Sequence, residues 1–347
     1  MLCIIADDLT GAFDAAAPFA GRGVAVAVAL EPAALADALV EARSGGVEVL
    51  AVSTRSREIA ADEASARVAA VAAQLPARTR LFKKVDSRLK GHVAAELAAL
   101  AAGKVPLLVA PAIPDFGRIV RGGAVTGFGV DAPIPVAAVL GALAAQAEIP
   151  DTSSADDLRA ALARAPDEAL LVGARGLAEA LAIAMTGQEM ATARQPQAGR
   201  ALMVVGSRDP ITLAQVATLK ARGADWRGAP NGRLEDRRPL GALTLVQALP
   251  GVTERSGAEV ALALAASVHP ALTAEAEAIF LTGGATAEAV MQAMGLRVLR
   301  LEGEVLPGVP LARAGGRAVI VKSGGFGGDD TLTRLADLFG GARDGTG

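Results

Sequence analysis

The sequence has no tyrosine, one tryptophan, two histidines and a single cysteine. One cysteine excludes a disulfide framework, and two histidines as distant as His92 and His269 exclude a Cys/His zinc site. A basic excess is also missing: the formal net charge is −3, which argues against a nucleic-acid binder. Lysine itself is scarce. Of 34 Lys plus Arg residues only six are lysines, so Lys83, Lys84, Lys90 and Lys322 stand out against a background in which arginine supplies the generic surface charge. No hydrophobic run is long enough for a membrane span. The uncharged stretch from Ala132 to Ala147 falls short of the ~18–20 residues required and contains Pro133 and Pro135. The opening residues, MLCIIADDLTG, carry no basic n-region and place Asp7 and Asp8 where a signal peptide must be apolar. These absences predict a soluble cytoplasmic protein.

What is present is apolar and glycine-rich. The chain is 52% hydrophobic and 20% charged, which excludes a disordered polymer. Glycine makes up 39 of 347 residues, above the usual ~7%. The length suggests about two domains. Short apolar runs alternate with alanine-rich helical patterns. Strands are expected at Leu2–Ala6, Val24–Leu30, Val47–Ser53, Arg80–Lys84, Leu107–Ala110 and Leu170–Val172, with helices between them. The polar segment 186–200, TGQEMATARQPQAGR, reads as a domain boundary, giving domains 1–190 and 200–347. The alternation then resumes, with strands at Ala201–Gly206, Leu243–Gln247, Ala278–Thr282 and Ala318–Lys322. The fold class is α/β: two domains, each a mainly parallel sheet flanked by helices.

Ligands in such sheets bind beyond the carboxyl ends of the strands. Six loops there are unusually polar or glycine-rich. Asp7 and Asp8 end the first strand, and Thr10-Gly11 follow. Either carboxylate can take a hydroxyl proton, bind polyol hydroxyls or hold hydrated Mg²⁺, and one of them can instead cap the helix. Arg57 can hold a carboxylate bidentately, although alone it reads as a solvated surface arginine. Lys83, Lys84, Val85, Asp86, Ser87 and Lys90 form a cationic loop suited to an anionic substrate or a moving phosphoryl group. Arg118, after the Pro-rich turn APAIPDFG, can face an acid group or simply belong to a rigid turn. Gly283, Gly284, Ala285 and Thr286 link a strand to a helix in the manner of a phosphate cradle. Lys322 opens a loop with four glycines, among them Gly325 and Gly327, that is able to wrap phosphates or a base, with Lys322 read as part of that cofactor site; Gly206-Ser207, after another strand of the same half, can complete it. Walker A is absent, since Gly103-Lys104 is followed by Val105; no Gly-x-Ser-x-Gly elbow occurs, and Gly127-Phe128-Gly129 does not complete a dinucleotide fingerprint.

Taken in order, ADDLTGA, KKVDSRLKG, APAIPDFGR, GS before a helix, TGGATA and KSGGFGGDD resemble the four-carbon acid sugar kinase family, which includes threonate, erythronate and 3-oxo-tetronate kinases. The resemblance spans nearly the whole chain. It implies a sugar-acid-binding N-terminal domain, an ATP-binding C-terminal domain and an active site in the cleft between them. By this resemblance Asp8, Arg57 and Lys84–Ser87 contact the acid. Ser207, Gly283 to Thr286, and Gly325 or Gly327 contact ATP. The sequence departs from the family pattern at 86–91, where DSRLKG replaces DSTLRG, and at Ala285, where the family commonly has Asp.

The expected activity is ATP- and Mg²⁺-dependent phosphorylation of a hydroxyl of a four-carbon sugar acid. The substrate carboxylate is assigned to Arg57 and a lysine of the 83–84 pair, and the proton to Asp7, Asp8 or Asp86. Lys84 and Mg²⁺ are expected to neutralise the γ-phosphoryl charge. No metal ligands are assigned. Partners are a small-molecule acid and ATP, with no nucleic acid or membrane; homo-oligomerisation, the particular acid and the hydroxyl phosphorylated stay open. The alternatives are a non-catalytic or weakly active binding member, or an aspartyl-phosphate phosphohydrolase. The latter is disfavoured because Asp7 and Asp8 are adjacent rather than one residue apart.

Overall fold

Five consecutive buried residues, Leu2–Ala6, form the first strand of a computed structural model that describes residues 1–101, 105–196, 198–236 and 238–340. Gly103 and Lys104, considered above for Walker A, lie outside the described residues. The chain divides into two compact units, Met1–Ala191 and Thr192–Gly347.

In the first unit, β1 (Leu2–Ala6), α1 (Leu9–Ala20), β2 (Val26–Ala29), α2 (Leu35–Gly45), β3 (Val49–Ser53), α3 (Ala61–Gln74), β4 (Arg80–Lys84), α4 (Val93–Leu100) and β5 (Leu107–Ala110) follow one another. A small antiparallel sheet comes next, made of β6 (Arg118–Arg121), β7 (Ala124–Gly127) and β8 (Ile134–Pro135). The unit closes with α5 (Val136–Leu140), β9 (Ala147–Glu148), α6 (Ala155–Arg164), β10 (Leu170–Gly173) and α7 (Arg175–Thr186). The main-sheet strands of this unit lie in the order β2-β3-β1-β4-β10-β5-β9, and every pair is parallel. Parallel strands covered on both faces need no polar alternation, which is why LCIIA and VLAVS are buried throughout. Helix α1 follows the same logic. Ala12, Ala15, Ala16, Ala17 and Ala20 are buried, and their small side chains let it approach β1 and β3 closely.

The second unit contains β11 (Ala201–Val205), α8 (Pro210–Ala221), β12 (Asp225–Pro230), β13 (Leu243–Leu249), α9 (Gly257–Val268), β14 (Ala278–Thr282), α10 (Gly284–Ala293), β15 (Val298–Leu306), β16 (Val309–Ala314), β17 (Arg317–Lys322) and α11 (Thr331–Gly340). Its strand order is β12-β13-β11-β14-β17-β16-β15. The first five strands are parallel, and β15-β16-β17 are antiparallel. Met203, Leu245, Phe280, Ile320 and Leu335 meet in its core. The antiparallel β15 and β16 were not among the expected strands. Residues 298–306 alternate buried with half-buried positions rather than forming a continuous apolar run.

The two units repeat one topology. The orders β2-β3-β1-β4-β10 and β12-β13-β11-β14-β17 are equivalent, and each sheet reverses its direction of growth at its first strand. Crevices at such reversals are where open α/β sheets bind ligands. Register makes the strand ends level. Ala6 pairs with Ser53 and Lys84, so Asp7, Thr54 and Val85 emerge together. Val205 pairs with Thr282, which pairs with Lys322, so Gly206, Gly283 and Ser323 emerge together.

Candidate active site

The first cluster lies at the carboxyl ends of β1, β3 and β4. Asp8 is the N-cap of α1: its Oδ1 accepts from the Gly11 amide at 2.7 Å and its Oδ2 from Thr10 Oγ1 at 2.9 Å. Arg57 grips both aspartates. Its Nε and Nη2 donate to the two oxygens of Asp7 at 2.8 Å, and Nη1 donates to Asp8 Oδ2 at 2.7 Å. Burial works to raise the Asp7 carboxyl, but the hydrogen bonds and charge of Arg57, reinforced by Lys83 and Lys84, hold it below the usual carboxylate range. Asp7 is therefore a fixed anion. The Asp8 side chain is the more open of the two, 16% exposed against 4%. Gly91 closes over Asp7. A Cβ there would stand 2.9 Å from Asp7 Oδ2, and its φ of +87° suits glycine alone.

Lys83 and Lys84 are adjacent on β4, so the pleat sends them to opposite faces. Lys83 is fully buried on Glu96 at 2.9 Å, and also donates to the carbonyls of Ile5 and Lys84. Glu96 accepts from Ser56 as well, and Ser56 pairs with Thr54 at 2.6 Å. This network fixes the β3–α3 loop that carries Arg57. Lys83 is thus not brought to the strand-end cluster with its neighbour. Lys84 is. Its Nζ donates to Val85 O at 3.1 Å, and a Cβ on Gly11 would lie 3.3 Å from that nitrogen. It is 5% exposed, and among the described residues no carboxylate is bonded to it.

Asp86 Oδ1 accepts from the Arg88 amide at 2.8 Å and closes a turn. Val85 is buried and ties β4 to β10 by donating its amide to Gly173 O. Ser87 accepts from Arg118 Nη1 at 2.6 Å, while Arg118 Nε and Nη2 donate to Phe128 O. The β6–β7 hairpin, absent from the expected elements, is what places Arg118. The Arg118 guanidinium lies 5.4 Å over the Phe116 ring. Burial and the like charge of Arg88 lower its pKa, against the opposing effect of Asp86. A buried guanidinium resting on neutral oxygens is a ready anion contact.

The second cluster lies at the ends of β11, β14 and β17. Gly283 is the N-cap of α10, with φ +97° and no side-chain capping bond, so the first amides of that helix remain available to an anion. The glycines here are places where a side chain would not fit. A Cβ on Gly206 would lie 1.8 Å from Thr286 Oγ1, and one on Gly324 would lie 2.2 Å from Ser207 Oγ. A Cβ on Gly325 would approach Asp209 Oδ2 to 3.0 Å, and one on Gly327, at φ +88°, would meet Thr331 Oγ1 at 2.4 Å. Ser207, Gly283–Thr286 and the glycine loop are therefore drawn to one strand-end crevice, with Ala285 in the first turn of α10.

Lys322 is the hub of that loop. Its Nζ donates to the carbonyls of Ser323 at 2.8 Å, Phe326 at 3.0 Å and Gly324 at 3.3 Å, and lies 3.3 Å from Thr212 Oγ1. Gln215 holds Phe326 O and Gly328 O from the other side. Burial pushes the Lys322 ammonium down to about 8, against the raising effect of Asp209. Its contacts shape the loop from beneath. Glu96, Ser56, Thr212 and Gln215 were missed in the sequence. The one available signal was Glu96, a carboxylate beside Val93 and Leu97 on the buried side of an alanine-rich helix.

A carboxylate–cation cluster on one parallel α/β unit and a glycine cradle on another define a small-molecule phosphotransferase. Relatives agree. Residues 2–132 match the sugar-binding N-terminal domain family, and residues 231–332 match the nucleotide-binding C-terminal domain family. A D-threonate kinase of Bordetella bronchiseptica is 34% identical over 97% of this chain and 96% of its own length. A D-threonate kinase of Cupriavidus necator is 31% identical over 95% of each, and a 3-oxo-tetronate kinase of Methylobacterium radiotolerans is 28% identical over 96% of this chain and 98% of its own. A solved Salmonella typhimurium structure shares the fold, with a TM-score of 0.73 at 19% identity over 96% of this chain and 98% of that one. This chain belongs to the four-carbon acid sugar kinase family and is a carbohydrate kinase. Among the described residues no helix is long and apolar enough to cross a membrane.

Proposed function

We propose that the enzyme transfers the γ-phosphoryl group of ATP to a hydroxyl of a four-carbon sugar acid of the threonate or 3-oxo-tetronate type. The observation that carries this reading is the contrast between the two clusters. One offers buried cations beside aspartates, and the other offers uncapped helix amides ringed by glycines. The names of the relatives add support, since D-threonate and 3-oxo-tetronate kinases align along nearly the whole chain.

In this reading the acid occupies the first cluster. Three of the five Arg57 donors are engaged by Asp7 and Asp8, so its main role is to hold those carboxylates rigid. Arg118 and Lys84, buried and bonded to neutral oxygens, are placed for the substrate carboxylate and the transferred group. Asp8, the more open aspartate, orients the attacking hydroxyl and takes its proton. Phosphoryl transfer is mainly positioning and charge neutralisation, so a strongly basic carboxylate is not required. Asp86, whose Oδ1 closes its turn, and Asp7, held as an anion, support the site instead.

ATP phosphates fit the second cluster, where the α10 amides, Ser207 and the loop Gly324–Gly327 form the cradle. Among the described residues no group of three or more His, Cys, Asp and Glu side chains gathers as a metal site. Mg²⁺ commonly binds through one or two carboxylates plus substrate phosphates, and Asp209, against Gly325, is a carboxylate suited to that role. The ion would neutralise phosphate charge. The test is ADP release from Mg-ATP in the presence of D-threonate, D-erythronate and 3-oxo-tetronate. Acid-dependent ADP is expected from at least one. ATP bound with no acid-dependent ADP would overturn the reading.

A further inference from the structure

We propose that Arg88 is a further substrate-binding residue, which joins Arg118 in a two-guanidinium clamp that selects four-carbon acids over their uncharged counterparts. This rests on the kinase reading above and specifies how an acid is told from a polyol, lactone or amide of the same size. The backbone fixes where Arg88 stands. Asp86 Oδ1 accepts from its amide at 2.8 Å, and the Leu89 amide donates to Asp86 O at 2.8 Å, which closes a tight turn over residues 86–89. Leu89 leaves the turn at φ +55° with its side chain buried. A non-glycine residue in that region costs about 1–3 kcal/mol and persists only where its surroundings hold it. Ser87, within the same turn, accepts from Arg118 Nη1 at 2.6 Å. The turn therefore carries Arg88 one residue away from the hydroxyl that holds Arg118.

The two guanidiniums still have donors to give. Three of the five Arg118 donors go to Phe128 O and Ser87 Oγ, which leaves one N–H on each Nη. Arg88 is half-buried, and among the described residues no protein acceptor is bonded to its guanidinium. Burial and the like charge of Arg88 lower the Arg118 pKa, while Asp86 opposes them, so the two cations share the neighbourhood of one carboxylate. Lys83 and Arg57 add nothing to the imbalance, since Glu96 matches the first and Asp7 and Asp8 match the second. Two guanidiniums against one carboxylate leave a positive excess that a single substrate carboxylate neutralises. An uncharged analogue leaves it standing. A half-buried guanidinium without a partner is unfavourable in the unliganded protein, and that cost is recovered only when an anion binds.

The experiment compares wild type with Arg88→Gln, which removes the charge, and Arg88→Lys, which keeps the charge and loses the planar fork. Calorimetric Kd values are measured for D-threonate, D-erythronate, their neutral primary amides and Mg-ADP, and urea midpoints are measured without ligand. Wild type should bind at least one acid about tenfold or more tighter than its amide. Arg88→Gln should bind that acid at least about tenfold more weakly, with amide and Mg-ADP affinities unchanged, and Arg88→Lys should fall between. The unliganded urea midpoint of Arg88→Gln should equal or exceed that of wild type, because a like charge beside Arg118 is gone. Unchanged acid affinity in Arg88→Gln would overturn the clamp and leave the kinase reading intact. Equal weakening of acid and amide, with a lower urea midpoint, would make Arg88 a support of its turn and overturn the clamp too. Selective loss of acid affinity in Arg88→Gln, with no acid-dependent ADP release by wild type, would keep the clamp and sink the kinase reading. No acid bound by wild type would sink both.

Discussion

Arg57 holds Asp7 in a two-pronged grip, with Nε and Nη2 each 2.8 Å from one carboxylate oxygen. Asp7 is nearly inaccessible, so removing the arginine leaves a buried charge without its main partner. Arg57→Ala should cost about 3–5 kcal/mol in urea unfolding. Asp7→Asn combined with Arg57→Met should recover much of that stability but not activity. A result in which Arg57→Ala is stable yet inactive would instead make Arg57 a direct substrate contact.

The same pair sets an acid limb. The folded Asp7 carboxyl lies below its ordinary value of 3.8, so its stabilisation is present above 3.8 and is lost as pH falls through the folded value. Urea midpoints measured from pH 5 downward should fall less steeply in Asp7→Asn than in wild type.

Lys83 and Lys84 should separate cleanly. Lys83→Met strands Glu96 in the interior and should destabilise by about 3–5 kcal/mol. Lys84→Met removes a buried ammonium bonded to one carbonyl and should leave stability nearly unchanged. Its kcat should fall by about 10²–10³, the usual cost of losing one charge-stabilising donor. Paired denaturation and steady-state assays check both.

Gly206→Ala drives a methyl to within 1.8 Å of Thr286 Oγ1 in the first turn of α10. The expected outcome is at least about tenfold weaker Mg-ADP binding by calorimetry, with tripolyphosphate weakened in parallel. Thr286→Ala in the same chain should restore part of both affinities.

Lys322 predicts a base-side effect. Its folded pKa is depressed from 10.5 to about 8, so its burden is greatest below 8 and disappears above 10.5. Wild-type stability should therefore rise with pH between these values relative to Lys322→Met. A flat difference between the two curves would show that the ammonium is not held as described.

Much of the parallel architecture was legible because buried strands such as residues 2–6 and 278–282 are continuous apolar runs closed by polar or glycine-rich loops. The strand-end loops named the ligand-facing segments for the same reason. Side-chain direction was not legible. Lys83 and Lys84 look equivalent in sequence, and only pairing of β4 with β1 shows that one lies under Glu96 and the other beside Gly11. Arg57 read as a free carboxylate binder because its partners, Asp7 and Asp8, are some fifty residues earlier in the chain. Lys322 read as a phosphate contact, yet it sits beneath the loop it shapes, bound to that loop's own carbonyls. The β6–β7 and β15–β16 hairpins were missed because antiparallel, half-buried strands lack the continuous apolar signal.

The most direct measurement of the central claim is phosphorus NMR of the protein with Mg-ATP and each four-carbon acid. The account predicts a phosphomonoester resonance that grows in step with ADP for at least one acid and is absent without acid. Inorganic phosphate in place of that ester, or an ATP-bound enzyme that forms neither, would contradict it.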